Sequence, residues 1–175
     1  ERLGALSVVG EQDFVLGQRL DDGGLNCRAN RSGARASSVH STISVIDGLA
    51  EYLRDGYAYR AAEAEKPRRG DRALLARHLY QRRSSGEPIR AEFTGSIIRR
   101  GGISACFAID VFRGAGTAYD DRLDAAVACS SAASVPMPLV RAAQYPGRFN
   151  SRIRARAADR WITLRALRVL AWAGS

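Results

Sequence analysis

Lysine is all but missing from this chain. Lys66 stands alone beside arginine, although Lys and Arg together number 27 and the formal net charge is +9. Surfaces selected to hold phosphates usually mix both cations, because lysine serves there as a point charge. Arginine without lysine, beside abundant Ala and Gly, reads as a GC-rich coding bias, and nucleic-acid binding is not expected from it. The pairs Arg68-Arg69, Arg82-Arg83 and Arg99-Arg100 also lack the aromatic neighbours that would stack bases, so they read as solvated surface. Cysteine is sparse as well. Cys27, Cys106 and Cys129 stand far apart, form no Cys-x-x-Cys, and would leave one thiol over from any disulfide framework. Reduced thiols in a cytoplasmic protein are therefore expected, with Cys106 and Cys129 as small core residues.

Other absences narrow the class further. No apolar run approaches the ~18 residues of a membrane-spanning helix. No basic, then apolar leader opens the chain, which starts at Glu1 and reads as a processed chain or a piece of a longer one. Period-two alternation occurs only at Arg152, Arg154 and Arg156, with too little apolar content to hold a sheet. A Gly-x-Ser-x-Gly elbow, a glycine-rich phosphate loop and a recognisable Cys–His pair are all missing, which leaves nucleophilic catalysis without a motif.

What is present is helical. The 175 residues, 46% hydrophobic and 26% charged, suit one domain spanning 1–175 with a real core. Residues 3–20 keep rough helical spacing despite Gly4, Gly10 and Gly17. Asp21-Asp22-Gly23-Gly24 then turns the chain, both glycines being able to take positive φ. The stretch 25–38 reads as loop. A strongly amphipathic helix follows from near His40 or Ser41, with Ile43, Ile46, Leu49 and Leu53 on one stripe, Ser41 or a neighbouring serine as cap, and Gly56 as its close. Pro67 interrupts an alanine-rich helix begun near Ala58. Asp71 can cap another through about Arg83, its apolar face formed by Leu74, Leu75, His78 and Leu79. A long connection over 84–101 precedes a helix at 104–114 and one capped by Asp120 or Asp121, with Leu123, Ala126 and Val127 buried. Residues 136–158 run irregularly. Asp159 caps a last helix over 160–173 that aligns Trp161, Leu164, Leu167 and Ala171.

Three of these helices superpose. Ile46-Asp47-Gly48-Leu49 matches Ile109-Asp110-Val111-Phe112, and Thr42-Ile43-Ser44-Val45-Ile46 matches Thr163-Leu164-Arg165-Ala166-Leu167. The spacing, about 60 residues, suits an array of α-hairpins in which each buried helix stacks on its neighbours.

Gln18-x-x-Asp21-Asp22-Gly23-Gly24-Leu25-Asn26-Cys27 resembles the Gln-x-x-x-Asp-Gly-Gly-Trp turn of the terpenoid cyclase and protein prenyltransferase superfamily. The segment 40–49 is similar to the inner helix of bacterial squalene-cyclase-like, prenyltransferase-repeat proteins. Gly86-Glu87-Pro88-Ile89-Arg90 with Phe93, Ile109-Asp110-Val111-Phe112-Arg113, 119–126 and 161–170 resemble their later segments in order. The resemblance implies an all-α helical-repeat array forming a partial α/α toroid, since a closed ring needs roughly twice these helices. A homo-oligomer would complete the ring. It implies a domain binding a hydrophobic, isoprenoid-like ligand or a protein partner, without a catalytic motif of its own. Two alternatives stand beside it: a divergent isoprenoid-processing enzyme of prenyltransferase or terpene cyclase type, and a basic nucleic-acid-binding helical domain.

The residues expected to line such a site are His40, Ile43, Asp47, Phe107, Asp110, Phe112 and Trp161, the two aspartates either facing the ligand or pairing with neighbouring arginines. No cofactor is expected. The alternative is zinc, which the family's prenyltransferases bind through Asp, Cys and His; Asp22, Cys27 and His40 are the residues here that correspond. The protonating Asp-x-Asp-Asp motif of polyene cyclases does not occur. Asp120-Asp121-x-x-Asp124 has the spacing of a helix cap instead.

Overall fold

The strongest amphipathic pattern in the sequence forms a helix with a continuous buried face. The computed structural model describes residues 2–68, 71–90, 93, 105–132 and 160–174, and its contacts divide the chain into two compact units, Glu1–Leu74 and Leu75–Ser175. Its described residues are mostly helical and contain no strand, only an isolated bridge between Gln81 and Pro88. The all-α expectation holds. No helix among the described residues is long and apolar enough to cross a membrane.

The first unit contains α1 (Arg2–Gly17), the single turn α2 (Ala29–Ser32), α3 (Val39–Arg54) and α4 (Ala61–Arg68). On α3, Val39, Thr42, Ile43, Ile46, Leu49 and Ala50 are buried, a stripe at helical spacing. Each large aliphatic residue in it contributes about 1.5–3 kcal/mol of burial. Ser38 rather than Ser41 is the cap: its backbone is extended, and its Oγ accepts from the Ser41 N–H at 3.1 Å. At the other end Tyr57 N–H reaches Tyr52 O and Gly56 N–H reaches Leu53 O, with Gly56 at φ +79. This paired pattern caps the last carbonyls, and the Tyr52 and Tyr57 rings stack over it at 5.0 Å. The short connection 55–60 lets α3 and α4 pack as a helical hairpin. Pro67 does not stop α4, which runs on to Arg68, although proline there gives up the N–H that would bond to the carbonyl four residues back. Asp13 of α1 is held by Arg60 at 2.6 Å and by Tyr59, and the Arg60 hydrogen bond draws its carboxyl below the usual range.

The division between the units falls within α5 (Asp71–Leu75), which is far shorter than the sequence suggests. His78 and Leu79 both take positive φ, +44 and +71, and the Tyr80 N–H closes a tight turn onto His78 O at 2.9 Å. Leu79 is fully buried, and that burial offsets the backbone strain. His78 is accordingly no packing residue: it is exposed, its Nδ1 lying 3.1 Å from Arg122 O. A small hairpin, 80–89, turns at Gly86 and occupies the start of the connection expected over 84–101.

In the second unit α6 (Ala105–Gly114), α7 (Asp124–Ala132) and α8 (Arg160–Ala173) pack on one another. Ile109, Phe112, Leu123, Ala126, Ala166 and Val169 form their core. Cys106 is buried there as expected, whereas the Cys129 side chain lies outside the described residues. The apolar stripe expected on α8 is corrected. Leu164 is 38% and Leu167 58% exposed, and Ala166 and Val169 are the residues that enter the core. Apolar side chains surround much of α8, and helix axes approach most closely over small ones, so the largest residues are a poor guide to its buried face. Residues 136–158, including the arginine alternation, lie outside the described residues.

Asp120 caps a 3-10 turn, Asp121–Leu123, that leads into α7. Its Oδ1 accepts from the backbone N–H of Arg122, and Arg122 Nε and Nη2 clamp the carboxylate at 2.8 and 2.7 Å. These bonds draw the Asp120 pKa down to about 2. A lowered folded value means that the stabilisation is full above the unfolded carboxylate range and fades as pH falls towards 2. Asp120→Ala is expected to cost about 1 kcal/mol at neutral pH, most of it from the lost cap because the ion pair is partly solvated. In urea titrations at pH 7 and at pH 2.5, the difference between the two proteins should shrink at the lower pH.

Candidate functional site

The turn and loop read from the sequence as 18–38 are tied down onto the start of α3. Leu20 N–H bonds to Gly24 O and Gly23 N–H to Leu20 O. Asp22 closes the turn from the side: Oδ1 accepts from Gly24 N–H at 3.2 Å and Oδ2 from Ser37 N–H at 3.0 Å. The two glycines play different parts. Gly23 takes φ +86, whereas Gly24 is required by crowding: a Cβ there would lie 2.4 Å from Ser37 Cβ and 2.9 Å from Thr42 Oγ1. Thr42, fully buried, accepts from Leu25 N–H at 3.0 Å and donates to Leu25 O at 3.2 Å. Cys27 N–H bonds Ser41 Oγ, and Asn26 spans the loop to Ala36 O. Buried backbone groups that lack a regular ladder thereby find partners on α3.

Between this pinned loop, the end of α1 and the first turns of α3 lies a partly open cavity of about 480 Å3, wholly within the first unit. Phe14, Val15, Leu25 and Val45 make its apolar wall. Polar groups enter from Gln18, Asn26, Asn30, His40, Ser41 and Ser44, and the Cys27 thiol is on the rim, exposed and free. Asn30 Nδ2 donates to Gln18 Oε1 at 2.6 Å, which fixes the two amides against each other. Phe14, 61% exposed on α1, has the cavity beside it. A pocket of this size with an apolar wall and a few convergent polar groups is the form small-molecule sites take.

Of the residues expected to line a site, only His40 lies at this cavity. Ile43 is fully buried in the core, and Asp47 is exposed further along α3. Phe107, Asp110, Phe112 and Trp161 belong to the second unit. There Asp110 pairs with Arg113 at 3.0 Å and with Arg165 at 3.9 Å, the arginine pairing that the sequence left open. The Arg165 guanidinium also covers Phe107, 4.5 Å from the ring centroid. Phe112 is a core residue, and the Trp161 side chain lies outside the described residues.

One further group is held in the second unit. Tyr119 donates to Asp124 at 2.6 Å and meets Trp172 edge-on at 5.2 Å, and burial, then that hydrogen bond, push its phenol up to about 12.

The zinc set does not assemble. Cys27 and His40 share the cavity, but both Asp22 oxygens are taken by backbone N–H groups and Asp22 is not part of the lining. Among the described residues, no three His, Cys, Asp or Glu side chains converge on a metal position, and these residues do not fit a catalytic zinc.

Apart from His40 and the zinc candidate Cys27, the sequence reading named none of the residues that line this cavity as site residues. The signal for Phe14 and Val15 was their place in the last turn of the helical pattern that runs into Gln18; Asn30 and Ser44 carried none, because their convergence depends on how the loop folds back. No family model matches the chain, and neither a curated protein nor a solved structure matches it.

Proposed function

We propose that the chain is a helical binding domain that holds a hydrophobic, isoprenoid-like small molecule in the cavity beside α3. The observation that carries this reading is the cavity itself: about 480 Å3, walled by Phe14, Val15, Leu25 and Val45, on a loop pinned by Thr42 and Asp22. A preorganised wall matters because ordering a loop on binding would consume affinity. In this reading the α3–α4 hairpin is one unit of a squalene-cyclase and prenyltransferase-like repeat, and the chain forms part of an α/α toroid. Supporting that architecture are the hairpin itself and the similar C-terminal closures of α3 and α6, each with a positive-φ glycine, Gly56 and Gly116, under the same pair of backbone bonds. The domain works by binding, without a catalytic motif of its own.

Filling the cavity tests the proposal. Ser44→Trp places a large ring at the lining from an exposed helix position and should leave the helical circular dichroism unchanged. Binding of farnesol, followed by tryptophan-independent calorimetry, is expected to fall at least about ten-fold, the equivalent of one well-packed contact surface lost. In the parent protein, saturating farnesol should slow alkylation of the rim thiol Cys27, read against a Cys27→Ser control. Unchanged affinity in Ser44→Trp, or no binding at all, would sink the proposal.

A further inference from the structure

Although the chain carries a net charge of +9, no formally charged side chain lines the cavity among the described residues. Arg28 and Arg31 flank Cys27 and Asn30 in sequence, yet both are exposed and outside the lining. The polar groups that remain are not equivalent. Asn26 is committed at both ends, its Nδ2 to Ala36 O and its Oδ1 to Arg28 N–H. Ser41 Oγ already meets Cys27 N–H and Ser38 Oγ. The Gln18–Asn30 pair uses one donor of Asn30 and one acceptor of Gln18. Beside the His40 imidazole, that leaves the Asn30 carbonyl as an acceptor and the Gln18 amide as a donor, with the Ser44 hydroxyl able to do either.

We infer that the ligand's polar end is an uncharged oxygen function that can both donate and accept a hydrogen bond, as an alcohol does, and that the site discriminates against an ionised phosphate head. The inference rests on the binding role proposed above and narrows it to neutral amphiphiles. A diphosphate placed in a lining without arginine or lysine would lose water without gaining a permanently cationic partner, which is strongly unfavourable. An alcohol loses far less, and its hydroxyl satisfies the Gln18 donor and the Asn30 acceptor together.

The test compares farnesol, farnesyl diphosphate and the hydrocarbon farnesene by calorimetry on the whole chain, at low and at high salt. Farnesol is expected to bind at least about ten-fold more tightly than the diphosphate. Its affinity should not depend on salt. Gln18→Leu and Asn30→Leu should each weaken farnesol about five-fold relative to farnesene, since one neutral hydrogen bond to the hydroxyl is lost in each. If one variant fails to fold, the other carries the comparison. Diphosphate binding as tight as that of the alcohol, salt-sensitive and reduced in Arg28→Gln or Arg31→Gln, would overturn the inference and leave the binding role standing. Equal affinity for farnesol and farnesene would also overturn it. If none of the three ligands binds, the binding role fails and this inference falls with it.

Discussion

Gly24→Ala is expected to destabilise the first unit by about 3 kcal/mol, at the upper end of what overpacking costs. The added methyl would sit 2.4 Å from Ser37 Cβ and 2.9 Å from both Ser37 Oγ and Thr42 Oγ1, separations that van der Waals repulsion does not allow. Neither neighbour can swing away cheaply. Ser37 and Thr42 are both buried, and Ser37 N–H is bound to Asp22. Displacing Thr42 also breaks its two bonds to Leu25, leaving buried backbone groups unpaired. Urea denaturation of parent and variant measures the cost. The double variant Gly24→Ala with Ser37→Gly should recover part of it, because the closest contact disappears while the one to Thr42 remains. A loss below about 1 kcal/mol, or no recovery in the double variant, would mean that the loop is not seated on α3 in this way. Ligand binding should fall with Gly24→Ala as well, since Leu25, Asn26 and Cys27 of the cavity follow directly from this turn.

Phe112→Ala should cost about 3–5 kcal/mol in the second unit. Phe112 is the largest fully buried side chain described, and Ile109, Leu123, Ala126 and Val169 are buried in the same unit. Removing its ring forfeits the transfer free energy and leaves a cavity that neighbouring helices fill only partly. Because whole domains are stable by only about 5–15 kcal/mol, the change should be visible as a large fall in the urea midpoint. Leu167→Ala is the matched control. At 58% exposure Leu167 should cost under about 0.5 kcal/mol, despite lying on the stripe that its sequence spacing favours for burial. Costs of similar size in the two variants would reverse the assignment of the buried face of α8.

Local signals were legible because they depend on residues a few positions apart. The α3 stripe at Ile43, Ile46 and Leu49, the cap at Asp120 and the turn at Asp21-Asp22-Gly23-Gly24 could each be read within a single window. Choices among near-equal local options were not. Serines at 37, 38 and 41 can all cap a helix in principle, and only the extended backbone of Ser38 settles which one does. The apolar face at Leu74, Leu75 and Leu79 suggested a helix through Arg83, but His78 and Leu79 turn the chain out of helical space to bury Leu79 itself.

The candidate site was legible in only one of its parts. His40 at the head of α3 could be named from its position. Ile43 shares the same helix but points into the core, and the aspartate at Asp110 is taken up by Arg113 and Arg165. The sequence by itself determined a helical chain without strands among its described residues, the amphipathic face of α3, and the glycine-bearing turn before it, because spacing and backbone preference act locally. Only the tertiary structure decided that Gly24 is needed for close approach, that α8 buries Ala166 and Val169, and that Phe14, Asn30 and Ser44 share a cavity. Those outcomes depend on which surfaces meet across long stretches of chain, and several apolar faces compete for each meeting.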